Sequence, residues 1–180
     1  MSEKIRVMIT EEEIDRRTRE ITEMITRDYA GKTVHMVTVL KGGVYFMTML
    51  SKRIAESVPV ELDFMSVSSY GADTKSSGVV RIVKDLDEPL LGKDVLVVED
   101  IIDSGRTLYY LLDMLKGRQP ASLKLCTLLD KPDRRVRDVK VDYTGFEIED
   151  RFVVGCGMDY AQKYRNLPYI GEVVFEEEKS

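Results

Sequence analysis

Histidine occurs once in the 180-residue sequence and cysteine twice, at Cys126 and Cys156. With no CxxC pair and no clustered histidines, a zinc module of the usual spacing and a disulfide framework are both excluded. No apolar stretch approaches the roughly 20 residues that a membrane helix needs. Residues 1–6 are polar and lack the apolar segment of a signal peptide. Basic charge is also short: 27 Lys and Arg against 32 Asp and Glu give a net charge of -5. A broad nucleic-acid surface needs the opposite balance to neutralise phosphates. What remains, 43% hydrophobic and 33% charged, is the composition of one ordinary globular domain and fits a cytoplasmic enzyme or regulator. His35, the lone histidine, stands in the apolar run 34–40 and reads as a core or strand residue rather than a catalytic one.

The first element is a helix. Thr10 and Glu13 have the capping-box form, Ile14, Thr18, Ile21 and Ile25 follow at helical spacing, and Gly31 lies just past the end. Residues 34–40 read as a buried strand that breaks at Lys41-Gly42-Gly43, and 44–57 as a second helix. A strand over 60–67 leads into a polar loop, 68–78, from which 79–83 returns as a strand. Loops of this length in a compact domain are commonly functional. Residues 95–98 are four apolar residues in a row, the mark of a central strand covered on both faces, and they end at Glu99-Asp100. Leu108, Leu111, Leu112 and Leu115 then predict a helix up to Gly117. Further strands are expected at 123–129, 143–146, 152–154 and 173–175. This alternation predicts an α/β fold, with a largely parallel sheet and helices on both faces.

In such a sheet, ligands bind at the carboxyl ends of the strands. There the chain carries Glu99 and Asp100, followed by Ile101-Ile102-Asp103-Ser104-Gly105-Arg106-Thr107 leading into a helix. Gly105 lets the backbone approach a ligand, the amides of 103–107 face outward at a helix start, and Ser104 and Thr107 add hydroxyl donors. A capped strand-to-helix turn accounts for Asp103 or Ser104, but not for two further carboxylates beside an anion site. The set suits a ligand with phosphate at one end and hydroxyls or a metal at the other. Other phosphate signatures are absent: there is no GxxxxGK[ST], and Gly155-Cys156-Gly157 lacks the third glycine of a dinucleotide fingerprint.

The segment VVEDIIDSGRTL, 97–108, resembles the phosphoribosyl-pyrophosphate motif of type I phosphoribosyltransferases. The likeness covers nearly the whole chain. Leu40-Lys41-Gly42-Gly43, Ser69-Tyr70, Leu129-Asp130-Lys131-Pro132, Gly145-Phe146-Glu147-Ile148, Phe152-Val153-Val154-Gly155, Met158-Asp159-Tyr160 and Tyr164-Arg165-Asn166-Leu167-Pro168 occur in the order seen in hypoxanthine-guanine phosphoribosyltransferases, in their short bacterial form. The resemblance implies the type I fold as a single domain over 1–180, with a small hood over the base pocket formed by the N- and C-terminal segments. It implies transfer of phosphoribosyl from phosphoribosyl pyrophosphate to hypoxanthine or guanine, giving IMP or GMP and pyrophosphate. It also implies a homodimer or homotetramer, with Mg2+ as cofactor.

By the same resemblance Glu99 and Asp100 would hold the ribose hydroxyls and a magnesium ion, with Asp159 contributing to a second. Asp103, Ser104, Gly105, Arg106 and Thr107 would cradle the 5-phosphate. Lys41, Gly42, Gly43, Ser69, Tyr70 and Arg165 would bind pyrophosphate, with a cis peptide before Lys41. Lys131 would donate to the purine 6-oxygen, Phe152 would stack on the base, and the Val153 backbone would meet its edge beside Asp159. Asp103 would be the general acid/base at N7, and the 68–78 loop would close over the reaction. Taken singly these residues have plainer readings: core strand for 152–154, turn residues for Lys131, Asp159 and 41–43, surface cation for Arg165. Their joint order favours the family. Two departures stand out. Arg106 replaces a lysine common there, and Cys156 and Gly157 replace bulkier residues, which bears on the ranking of hypoxanthine, guanine and xanthine. The rival readings are a phosphoribosyl-pyrophosphate sensor that binds nucleic acid, against which the net charge stands, and an enzyme for adenine, uracil or xanthine, against which Lys131 and Phe152 stand.

Overall fold

The computed structural model describes residues 2–69 and 80–176. Nine strands and three helices follow one another as β1 (Ser2–Ile9), α1 (Glu11–Asp28), β2 (Val34–Val39), α2 (Gly43–Ser51), β3 (Val60–Ser69), β4 (Val80–Lys84), β5 (Asp94–Ile102), α3 (Arg106–Gly117), β6 (Ser122–Asp130), β7 (Tyr143–Glu147), β8 (Val153–Val154) and β9 (Ile170–Glu176). A six-stranded sheet runs β4-β3-β2-β5-β6-β7, and a three-stranded sheet runs β1-β9-β8. In the large sheet only β4 is antiparallel.

The central strands are apolar on both sides because both sides are covered. Val95, Leu96, Val97 and Val98 are all buried. Leu96 and Val98 pack with Ile14, Ile21 and Ile25 of α1 and Phe46, Met47 and Leu50 of α2. Val95 and Val97 pack on the other face with Leu108, Leu111 and Leu115 of α3. The expected two-faced α/β sheet is therefore present. Helix α1 starts as the sequence indicated: Thr10 Oγ1 accepts from the Glu13 amide at 3.2 Å, and the Glu13 carboxylate accepts from the Thr10 amide at 2.8 Å.

Several boundaries differ from those read along the chain. Helix α2 stops at Ser51 rather than 57, because the turn tightens onto the Leu50 carbonyl and the Ala55 amide donates to the Thr26 hydroxyl at 3.4 Å. Strand β5 does not end before Glu99-Asp100 but runs on to Ile102, since β6 offers pairing partners as far as Asp130. Both acidic residues are thus held by the sheet. The polar N-terminal segment, for which no strand was expected, is β1, paired with β9 from Ser2↔Glu176 onward. Phe152 lies outside β8. Tyr70 and the loop that follows it lie outside the described residues, as does the Ser69 side chain. His35 is a core residue of β2, as expected, with Nδ1 2.8 Å from Glu61 Oε2. None of the described helices is long and apolar enough to cross a membrane.

Candidate active site

The strand ends of β2, β5 and β6 deliver the site. Glu99 and Asp100 are half-buried at the end of β5, and among the described residues neither has an ion-pair partner. Burial raises the pKa of both, and the neighbouring Asp100 charge pushes Glu99 well above the usual carboxylate range. One Asp100 oxygen accepts from the Ile101 amide at 2.8 Å, which leaves most of its acceptor capacity open.

The 41–43 turn lies directly against this pair. A Cβ on Gly42 would come within 1.8 Å of Asp100 Oδ2, and one on Gly43 within 2.0 Å of Thr38 Oγ1, so a side chain at either position would displace its neighbour. The Leu40–Lys41 peptide is cis, as expected. Lys41 Nζ donates to Gln162 Oε1 at 3.1 Å. Arg165 donates to the same oxygen at 3.4 Å and to the Gly157 carbonyl at 2.6 Å, and pairs with Asp159 at 2.9 Å. Asp159 also accepts from the Gln162 amide at 2.8 Å. Both members of the Arg165–Asp159 pair act electrostatically on Asp100.

From β5 the chain enters the start of α3. Gly105 has φ 75, and a Cβ there would meet Arg135 Cδ at 2.9 Å and the Arg137 carbonyl at 3.0 Å. The Ser104 carbonyl accepts from the Val136 and Arg137 amides at 3.0 and 3.3 Å, so the turn is fixed from behind. Asp103, Ser104, Gly105, Arg106 and Thr107, with Glu99, line a cavity of about 220 Å³. The cavity lies at the start of α3, the kind of place where free helix amides favour an anion.

This cradle, with two carboxylates on the strand that feeds it, matches the phosphoribosyl transferase domain, whose family model covers residues 8–161. The chain belongs to the phosphoribosyltransferase family of enzymes. Among family members, the hypoxanthine-guanine phosphoribosyltransferase of Streptococcus thermophilus is 50% identical over 92% of this chain and 91% of that protein. The one from Bacillus subtilis is 51% identical with the same coverage. The crystal structure of a hypoxanthine phosphoribosyltransferase from Staphylococcus aureus superposes with a TM-score of 0.90 at 46% identity, covering 93% of this chain and 90% of that one. A Bacillus anthracis hypoxanthine-guanine phosphoribosyltransferase gives 0.89 at 43% identity, covering 97% and 100%. The large sheet and its helices are thus the type I phosphoribosyltransferase fold.

Beyond that cavity, the fold places Lys131 just past the end of β6, Phe152 just before β8 and Val153 at its start. Lys131 is 7% exposed, and its ammonium pairs with Asp150 at 3.3 Å. Arg134, in the short 3-10 turn Pro132–Arg134, donates from Nε to Asp103 Oδ1 at 3.1 Å and lies 3.6 Å from Asp150 Oδ2. These two carboxylates, the Asp103 hydrogen bond foremost, hold the Arg134 pKa above its ordinary value. Phe152 is 53% exposed and meets Tyr160 edge-on, ring centroids 5.7 Å apart. Val153 is buried, paired in register with Glu172 of β9.

Three participants escaped the sequence reading. Gln162, where the Lys41 and Arg165 side chains meet, carries a polar side chain in an ordinary polar stretch and gives no periodic or motif signal; only its φ of 68 marks it. Arg134 and Asp150 look like surface charges in turns and are named only by their contacts. Asp159, expected apart from the Glu99 and Asp100 pair at a second magnesium, is ion-paired with Arg165, and among the described residues no group of three or more His, Cys, Asp or Glu side chains converges. A larger groove of about 580 Å³ along α1 and α2 shares no residue with the site, and its lining residue Asp15 is ion-paired with Arg53 and Arg19. Cys126 and Cys156 are both free and buried, and burial raises the Cys156 thiol to about 11, which keeps it inert at neutral pH.

Proposed function

We propose that the chain transfers the 5-phosphoribosyl group from phosphoribosyl pyrophosphate to N9 of hypoxanthine or guanine, forming IMP or GMP and pyrophosphate in cytoplasmic purine salvage. The observation that carries this reading is the chain of contacts that links the buried Lys131, through Asp150 and Arg134, to Asp103. A 6-oxopurine protonated at N7 presents an acceptor at O6 and a donor at N7 along one edge, and an ammonium with a carboxylate complements that edge. A 6-amino group facing the ammonium would leave donors opposed, and sites built on such pairs reject mismatched bases strongly.

In this reading the amides and hydroxyls of 103–107 hold the 5-phosphate and Glu99 and Asp100 take the ribose 2- and 3-hydroxyls. Lys41, the Gly42 and Gly43 amides and Arg165 hold the pyrophosphate, with Ser69 and Tyr70 added when the 68–78 loop closes. Phe152 offers a ring face to the base, and the Val153 backbone meets its edge. The sheets divide the work: β1-β9-β8 supplies the hood, the large sheet the phosphate and ribose sites.

The donor set fits Mg2+. Two hard carboxylates with raised pKa values and no ion-pair partner among the described residues suit a dication, and magnesium is commonly held by one or two carboxylates, with waters and substrate oxygens completing its shell. When bound by Glu99 and Asp100 it supplies positive charge against the pyrophosphate. The chain's own residues do the rest. The bond from C1 of the ribose to the pyrophosphate oxygen breaks, its electron pair leaving with pyrophosphate, where Lys41 and Arg165 stabilise the charge. N9 bonds to C1 from the opposite face, and the N7 proton of the base passes to the Asp103 carboxylate. Lys131 stabilises negative charge at the 6-oxygen meanwhile. Assembly as a homodimer or homotetramer accompanies this reading.

The test is nucleotide formation from phosphoribosyl pyrophosphate and Mg2+ with hypoxanthine, guanine, xanthine, adenine or uracil supplied separately, alongside Asp103→Ala. Turnover confined to 6-oxopurines and slowed about 100-fold to 10,000-fold in the variant is expected. Tight phosphoribosyl pyrophosphate binding with no turnover of any base would instead make the protein a sensor.

A further inference from the structure

Four charges of alternating sign form one chain of contacts at the mouth of the site. Asp103 accepts from Arg134 Nε at 3.1 Å, Arg134 lies 3.6 Å from one Asp150 oxygen, and Lys131 Nζ lies 3.3 Å from the other. The chain begins and ends on the two residues assigned above to N7 and the 6-oxygen, yet its middle members, Arg134 and Asp150, have no part in that assignment. Their exposure differs from that of the lysine: both are half exposed, whereas Lys131 is buried.

We infer that Arg134 and Asp150 are positioning residues that set base selectivity by pinning the Lys131 ammonium and the Asp103 carboxylate at a fixed separation. The inference rests on the proposed roles of Asp103 and Lys131. An ammonium has three donors, so Lys131 can keep one on Asp150 while giving another to a 6-oxygen. Without an anchor, the long lysine side chain is free to swing toward water, and a 6-amino group then meets no opposed donor. Pinned, it cannot withdraw, and the mismatch is enforced; rejection comes from the built-in repulsion as much as from the favoured contact. Arg134 is suited to the middle place because a planar guanidinium serves two carboxylates from different nitrogens, which an ammonium does less well. N7 and the 6-oxygen lie side by side on one purine edge, so the bridge matches the two protein groups to two adjacent ligand atoms.

The experiment measures kcat and KM for hypoxanthine, adenine and phosphoribosyl pyrophosphate with Mg2+ in the full-length protein. The variants are Asp150→Asn, Asp150→Glu, Arg134→Gln, Arg134→Lys and Lys131→Met, with Asp150→Asn also combined with Lys131→Met. Asp150→Asn and Arg134→Gln should narrow the preference for hypoxanthine over adenine by about tenfold to a hundredfold, with the KM for phosphoribosyl pyrophosphate unmoved. Asp150→Glu should recover part of the loss, and Arg134→Lys should not. In the Lys131→Met background, Asp150→Asn should change the preference far less than in the parent, because the ammonium is gone and Asp150 then holds only Arg134. An unchanged preference in Asp150→Asn, while Lys131→Met abolishes it, overturns the bridge and leaves the proposed function standing. An unchanged preference in Lys131→Met itself overturns the assignment of Lys131, and the bridge with it.

Discussion

Two acidic groupings sit at neighbouring strand ends and are built on opposite principles. Glu99 and Asp100, on β5, are held side by side without an ion-pair partner among the described residues, and burial raises both pKa values. Asp103 and Asp150, at the mouth, are half exposed and paired with Arg134 and Lys131. The first arrangement is electrostatically unfinished and costs folding energy; the second is complete in itself. A site that must attract a cation and sugar hydroxyls benefits from carboxylates left wanting. A site for a neutral purine must not carry an unbalanced charge, so there the protein neutralises its own groups and uses them for direction.

The same chemical change should therefore have opposite consequences at the two places. Glu99→Gln should cut kcat/KM for phosphoribosyl pyrophosphate by roughly 100-fold to 1,000-fold, while raising the unfolding midpoint. The sign follows from the raised pKa: the folded state holds a proton that the unfolded state releases near the ordinary value of 4.5, so the native carboxylate costs stability as pH rises above that value. The gap between Glu99→Gln and the parent should open with increasing pH in thermal melts, and a gap that closes would refute the unpaired reading. Gly42→Ala attacks the same region sterically. Its Cβ would collide with Asp100, and a loss of about 1–3 kcal/mol in denaturant titrations together with weakened pyrophosphate binding is expected.

At the mouth, Asp150→Asn should lower stability by about 1 kcal/mol, because it leaves a buried ammonium short of its carboxylate; the partner's half exposure keeps this below the fully buried case. A rise in stability there would erase the contrast. Thr10→Ala, remote from both regions, should cost about 1 kcal/mol through the lost helix cap and leave kinetics unchanged, which calibrates what a purely structural loss looks like.

Much of this could be read along the chain wherever the cause is local. Thr10 with Glu13 announces the α1 start because a capping box is closed within four residues. The run 95–98 announces a central strand because covering on both faces leaves no polar position. The segment 97–108 announces the family because its ordered residues resemble the phosphoribosyl-pyrophosphate motif. Gly42 and Gly43 were legible as a turn, but the reason for two glycines, the approach of Asp100 and Thr38, required the fold.

The sequence by itself determined the α/β class, because backbone propensity, apolar patterning and helix starts act over a few neighbouring positions, and the family, because its ordered motifs resemble those of the phosphoribosyltransferases. Tertiary structure alone decided three things. It extended β5 through Glu99 and Asp100, since the ladder partners reach Asp130 on a different strand. It made a strand of Ser2–Ile9, where none was expected, since β9, far along the chain, offers it a hydrogen-bonding edge. It joined Asp103, Arg134, Asp150 and Lys131 into one bridge, since charges in separate turns interact only after the sheet has brought those turns within 4 Å of one another.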